Sequence, residues 1–190
     1  MIPRNKVSIV SAALVRLGES PIASLDETRT AVRQANALYD GIRMNMLAYP
    51  WRFALREEQL TPLADETTPN IDTLYAHGYA MPADVILTWG LTSRVPFGVY
   101  GSQIWCDDND AWLIYVKDVD NLMPSYFAMA LEMALTAALA IPITESSAKA
   151  QHFDRLAALE MRKARAVDAQ SAWSLSVPLH ELVLRWPTVR

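Results

Sequence analysis

The stretch PSYFAMALEMALTAALAIPIT, residues 124–144, carries one charged side chain, Glu132, and offers a helix no face that would prefer water. Pro124 suits the first turn of a helix, and Pro142 predicts its end at about Ile141. Phe127, Met129, Leu131, Met133, Leu135 and Leu139 point around the whole circumference, the pattern of a central helix in a bundle. Its most apolar run, residues 133–144, is too short to cross a bilayer, and no transmembrane segment is expected.

The neighbours of this stretch supply its covering. Ser146 is placed to cap a fourth helix reaching about Ser171, with Phe153, Leu156, Ala157, Ala164 and Val167 on its apolar side. Upstream, residues 4–17 read as an amphipathic first helix stopped by Gly18, since Val7, Val10, Ala13, Leu14 and Leu17 share one arc. Arg16 and the lack of a small-residue cleavage site argue against a secretory signal there. Ser24 or Asp26 is placed to cap a second helix, which runs to about Tyr49 and is broken by Pro50. Ala31, Val32, Ala35, Leu38, Tyr39, Ile42 and Met46 form its apolar arc.

Between these helices the period changes. Pro62, Pro69, Pro82 and Pro96 punctuate β-branched and aromatic runs, predicting strands at 53–60, 74–81, 85–91, 99–106 and 111–117. The polar turn Asp107-Asp108-Asn109-Asp110 predicts a hairpin between the last two. In the final strand Trp112, Ile114 and Val116 face one way, and Leu113 and Tyr115 the other, so both faces need cover that one small sheet can hardly give. The tail, residues 173–190, alternates Leu175, Val177 and Leu179, then adds Leu182, Val183, Leu184, Trp186 and Val189. So apolar a segment should dock, either on its own chain or on a partner. Leu179, Leu182, Leu184 and Trp186 are the expected anchors.

Composition narrows the function. The chain has 190 residues, 52% apolar and 20% charged, enough for a core without metals or disulfides and with apolar surface left for other subunits. A net charge of −4 lacks the basic excess of a duplex binder. Cys106 is the single cysteine, excluding an internal disulfide and fitting a reducing compartment. Its neighbours Asp107 and Asp108 oppose an activated thiolate. His77, His152 and His180 are too scattered for a zinc site, the acidic turn lacks calcium-loop spacing, and neither phosphate-binding glycine motif occurs. No cofactor is implied.

Charged residues on the helices remain. Arg155, Arg162 and Arg165 are candidates for contact with DNA or an acidic partner surface, against the plainer reading of a solvated helix face. Glu160 falls on the apolar arc of the fourth helix, where Arg43 or Arg33 of the second helix is placed to pair with it. Glu132 and Glu160 are also the pair that a glycoside-hydrolysing site would use.

Six stretches occur in order: AALVRLGESPIASLDE (12–27), LYDGIR (38–43), PWRFA (50–54), YAMPAD (79–84), YVKDVDN (115–121) and FAMALEMALTAALAIPIT (127–144). Their succession resembles the tail tubular protein A family of short-tailed bacteriophages, the head-to-tail adaptor or gatekeeper proteins, over roughly residues 5–170. The resemblance implies a ring, usually a dodecamer, beneath the portal, with the C-terminal segment reaching to the portal or a neighbouring subunit.

Together these readings predict an α+β chain. Residues 1–50 and 122–172 would form a four-helix bundle, residues 51–121 a small antiparallel β-domain inserted between helices 2 and 3, and residues 173–190 an extended docking tail. The expected role is structural, not enzymatic: a ring between portal and tail nozzle that extends the DNA channel for genome retention and ejection. It would sit at the head-tail junction of the virion, and in the host cytoplasm during assembly. Its partners would be the portal protein, the nozzle protein, copies of itself and, transiently and non-specifically, genomic double-stranded DNA; no membrane is involved. Two other classes compete, a tail-associated cell-wall hydrolase using Glu132 or Glu160 and a nucleic-acid-binding packaging component.

Overall fold

The computed structural model describes residues 4–63, 75–119 and 123–170, which form four helices and two antiparallel sheets, a mixed α+β chain. Helices α1 (Lys6–Arg16) and α2 (Thr30–Leu47) come first. Seven strands follow: β1 (Leu55–Gln59), β2 (Thr61–Pro62), β3 (His77–Ala80), β4 (Val85–Leu91), β5 (Phe97–Tyr100), β6 (Gln103–Cys106) and β7 (Trp112–Lys117). Then come α3 (Ser125–Thr144) and α4 (Ser147–Gln170).

The helices begin and end for local reasons. Asn5 caps α1 by accepting the Ser8 N–H at 2.9 Å, and Gly18, at φ +96°, takes the left-handed turn beyond its end. Helix α2 starts later than its two expected caps. Ser24 and Asp26 bond to each other, and Glu27 holds both the Ala23 N–H and Arg29, so the chain stays in a bonded loop until Thr30. Ser146 does accept the Lys149 N–H at 3.3 Å, the capping bond expected of it.

Helix α3 does not stop at Pro142. It runs to Thr144 and closes in a left-handed Glu145 whose N–H reaches the Ile141 carbonyl. Proline deprives only the Ala138 carbonyl of a partner, and Ala138 is exposed, so water can take the vacant bond. The result is a 20-residue helix, the one among the described residues long and apolar enough by length and composition to cross a membrane, and more than half of it is buried inside the protein. Helices α1, α2 and α4 all pack on it, and α4 rests chiefly there. Leu131, Leu135 and Leu139 lie in a core with Ile9 and Leu14 of α1, Val32 and Tyr39 of α2, and Ala150 and Ala164 of α4.

The strands divide between two sheets in a way the sequence does not announce. One has the order β1-β7-β4, the other β2-β3-β6-β5. The polar turn 107–110 is therefore not a hairpin, because β6 and β7 belong to different sheets and the turn carries the chain across. Asp108 accepts the Asp110 N–H within the turn, while Asp107 accepts the N–H of Ala76, just before β3. The hairpin lies one strand earlier, between β5 and β6, where Gly101 adopts φ +60°. Similarly, the run expected as one strand at 53–60 bends at Leu60, with β1 entering one sheet and β2 the other.

This division covers β7 on both faces from within the chain. Leu113 and Tyr115 lie in a second core with Leu60, Tyr79, Leu91, Ile104 and Cys106, between the sheets. On the opposite face Val116 joins the helical core, with Leu55, Ile86 and Leu87 packed beside it. The cover that one small sheet could hardly give thus comes from the helices and a second sheet of the same chain, except at the outer end of the strand, where Trp112 remains 40% exposed.

Trp51 ties the two regions together. Fully buried, it donates its indole N–H to the Met46 carbonyl at 2.7 Å and stands among Tyr49, Phe53, Tyr126 and Phe127. Replacing Trp51 by Ala is expected to lower stability by about 3–5 kcal/mol in a urea titration. At the sheet's inner end, Lys117 at 2.7 Å and then the Tyr115 hydroxyl hold the Asp84 carboxyl below its usual range, against the opposing effect of burial. A depressed folded value means stabilisation present above the ordinary carboxylate range and lost as pH falls through the folded value. Asp84→Asn should therefore flatten part of the acid limb of the stability–pH curve, measured as urea midpoints.

Candidate functional site

The ion pairs that lock the helices are not those suggested by the sequence. Arg43, 5% exposed, bonds both carboxylate oxygens of Asp118 just after β7 and approaches the Val119 carbonyl. Glu160 pairs instead with Lys163, one turn along its own helix, at 2.7 Å. Arg33 is exposed on α2 and does not meet Glu160. The reason is placement: α4 lies chiefly on α3, leaving the arginines of α2 out of its reach.

Two buried carboxylates anchor the helices. Glu132, 1% exposed, is gripped by Arg4 and by Arg16 at 2.6 Å, guanidiniums from just before α1 and from its last residue. Breaking a buried pair costs far more than an exposed one, which makes Glu132 a register pin. Two guanidiniums neutralise it and the protein closes over it, so it is not presented to a substrate. Nor do Glu132 and Glu160 border either cavity beside β2 and β3. Asp168 is the residue that sequence reasoning missed. It accepts the Arg52 N–H at 2.9 Å and the Tyr126 hydroxyl at 2.8 Å, joining α4 to the turn after α2 and to α3. Burial, and then this carboxylate, push the Tyr126 phenol well above its ordinary range. The signal was available, since Asp168 stands four residues after Ala164 on the buried arc of α4.

The three arginines of α4 separate into two settings. Arg165 stacks over the Tyr49 ring at 4.5 Å, beside the junction. Arg155 and Arg162 are exposed on the opposite side from Ala150, Ala164 and Asp168, and neither pairs with an acid among the described residues. Between them lies Leu159, 39% exposed.

The strand region presents a different surface. Trp112 at the start of β7 and Trp89 are both exposed, and Trp89 sits at the irregularity of β4 opposite Ile114. Glu57 is paired across the sheet with Ile114, and Asp110 accepts the Gln59 amide. Cys106 is buried; burial pushes its thiol up, and the charges of Asp108 and Asp107 add to that. The cavities beside β2 and β3, of about 160 and 360 Å³, are both lined by Pro62, Tyr79 and Asn109. Among the described residues no three His, Cys, Asp or Glu converge as metal ligands. The docking anchors Leu179, Leu182, Leu184 and Trp186 lie outside the described residues.

No protein-family model matches the chain, and no curated protein matches it in sequence.

Removing Asp168 leaves two part-buried donors without their acceptor, so Asp168→Ala should cost roughly 1–3 kcal/mol of stability. Arg155→Ala with Arg162→Ala should stay within about 0.5 kcal/mol of the parent, because neither side chain has an acidic partner among the described residues. Urea denaturation of the full chain measures both.

Proposed function

We propose that this chain is a structural subunit of a tailed bacteriophage, an adaptor that forms a ring between the portal and the tail nozzle. The observation that carries the reading is the ordered succession of six stretches from Ala12 to Thr144, resembling the tail tubular protein A adaptors. The element order supports the reading, since the strands of the described residues fall between α2 and α3, where the β-domain is expected. On this reading α1 to α4 make a four-helix bundle, residues 51–121 an inserted β-domain, and residues 173–190 a tail that docks through Leu179, Leu182, Leu184 and Trp186.

The role is mechanical. Copies arranged about the portal axis extend its channel, offer the nozzle a seat, and let DNA pass. Many repeated weak contacts make the assembly effectively permanent. The net charge of −4 suits a conduit, because tight phosphate binding would hold the genome still. The closed setting of Glu132 and the exposed Glu160–Lys163 pair give the hydrolase reading no support.

Electron microscopy of the chain mixed with its portal should show a symmetric collar below the portal, and a chain ending at Gln170 should lose that collar or bind it far more weakly. A portal that stays bare beside the full chain would overturn the proposal. Fluorescence anisotropy of the chain with duplex DNA should reveal weak binding without the steep salt dependence of a packaging component.

A further inference from the structure

Charge is distributed unevenly along the chain. Residues 51–121 hold eleven acidic side chains against four basic ones, while the remainder holds ten against thirteen. Two exposed surfaces concentrate this contrast. On α4, Arg155, Leu159 and Arg162 follow at i, i+4 and i+7, a ridge about 10 Å long facing away from α3. On the sheet, Trp89 and Trp112 are 39% and 40% exposed, with Glu57 two residues along β1 from the partner of Trp112. Glu57 accepts only the Thr92 hydroxyl and Asp110 only the Gln59 amide, so neither carboxylate has a basic partner among the described residues.

The two surfaces match in kind. Two unpaired guanidiniums flanking a leucine face two indoles beside two unpaired carboxylates. A guanidinium can lie on an indole and reach a carboxylate at once. We propose that the α4 ridge of one copy docks on the Trp89–Trp112 face of the next. Resting on the ring reading above, this assigns its subunit contact. The surfaces differ from each other, so the contact is head-to-tail, the kind that closes into a ring. A second copy is favoured over DNA as the occupant because the ridge centres on an apolar side chain, and because the same chain supplies the complementary half.

The test uses the full chain, with assembly followed by sedimentation in the absence and presence of purified portal. Ridge reversal (Arg155→Glu with Arg162→Glu) and face reversal (Glu57→Arg with Asp110→Arg) should each weaken assembly about tenfold or more, and one chain carrying both should recover it. In parallel, Leu159→Cys and Trp112→Cys chains mixed under oxidation should give a heterodimeric disulfide, while Val15→Cys with Trp112→Cys should not. This second readout stands even where a reversed chain folds poorly. Unchanged assembly by both reversed chains with no Leu159–Trp112 crosslink would discard this contact and leave the adaptor reading intact. Absence of association with or without portal would discard both. Ridge reversal that lowers affinity for duplex DNA while assembly persists would give the ridge to nucleic acid and overturn the proposal.

Discussion

A helix of 20 residues whose single charge is Glu132 has to bury much of its surface, and the other three helices are packed on it to do so. Helices α1, α2 and α4 each take one sector of α3. The remaining requirement is register, because a smooth apolar cylinder does not say where its neighbours should stop. Glu132 answers for α1, where two guanidiniums close on one buried carboxylate and fix the helix along its length. Asp168 answers for α4 through the Arg52 amide and the Tyr126 hydroxyl. Arg43 answers for the strand region by holding Asp118 to α2. Each is a charged group placed where leaving it unpaired would be costly, so sliding is penalised at three separate points.

The same economy of cover shapes the strands. Strand β7 is apolar on both faces, and the chain solves this by placing it between the helices and a second sheet. The crossing at Leu60 and the turn at 107–110 make that possible, since each carries the chain from one sheet to the other. Apolar side chains stay uncovered at the outer end of β7 (Trp112), at the irregularity of β4 (Trp89) and on the outward ridge of α4 (Leu159), and also at Val15 of α1, Leu38 and Met44 of α2, Val99 of β5 and Ile141 of α3. Trp89, Trp112 and Leu159 differ from the others in standing beside charged side chains that lack an opposite partner among the described residues. On the proposed adaptor reading such surfaces need a rigid frame, and the pinned helices supply the rigidity.

Element identity was legible from the residues alone. Apolar content marked α3 as central, Ser146 marked the start of α4, and the change of period after Pro50 marked the strands. Local chemistry was legible too, including the buried, unactivated thiol of Cys106 beside its acidic turn. Where local signals competed, the reading slipped: Ser24 and Asp26 satisfied each other instead of α2, and Pro142 failed to end α3 because the carbonyl it orphaned was exposed.

Sequence by itself determined which segments are helical, which are extended, and which helix must be innermost, because those follow from spacing and side-chain volume within a few residues. Tertiary structure alone decided which sheet each strand joins and which charges meet. Glu132 finds Arg4 and Arg16 across 128 and 116 positions, and Arg43 finds Asp118 across 75. No periodicity encodes partners that far apart. They are selected by whichever packing leaves the fewest buried charges and donors unsatisfied, a property of the folded whole.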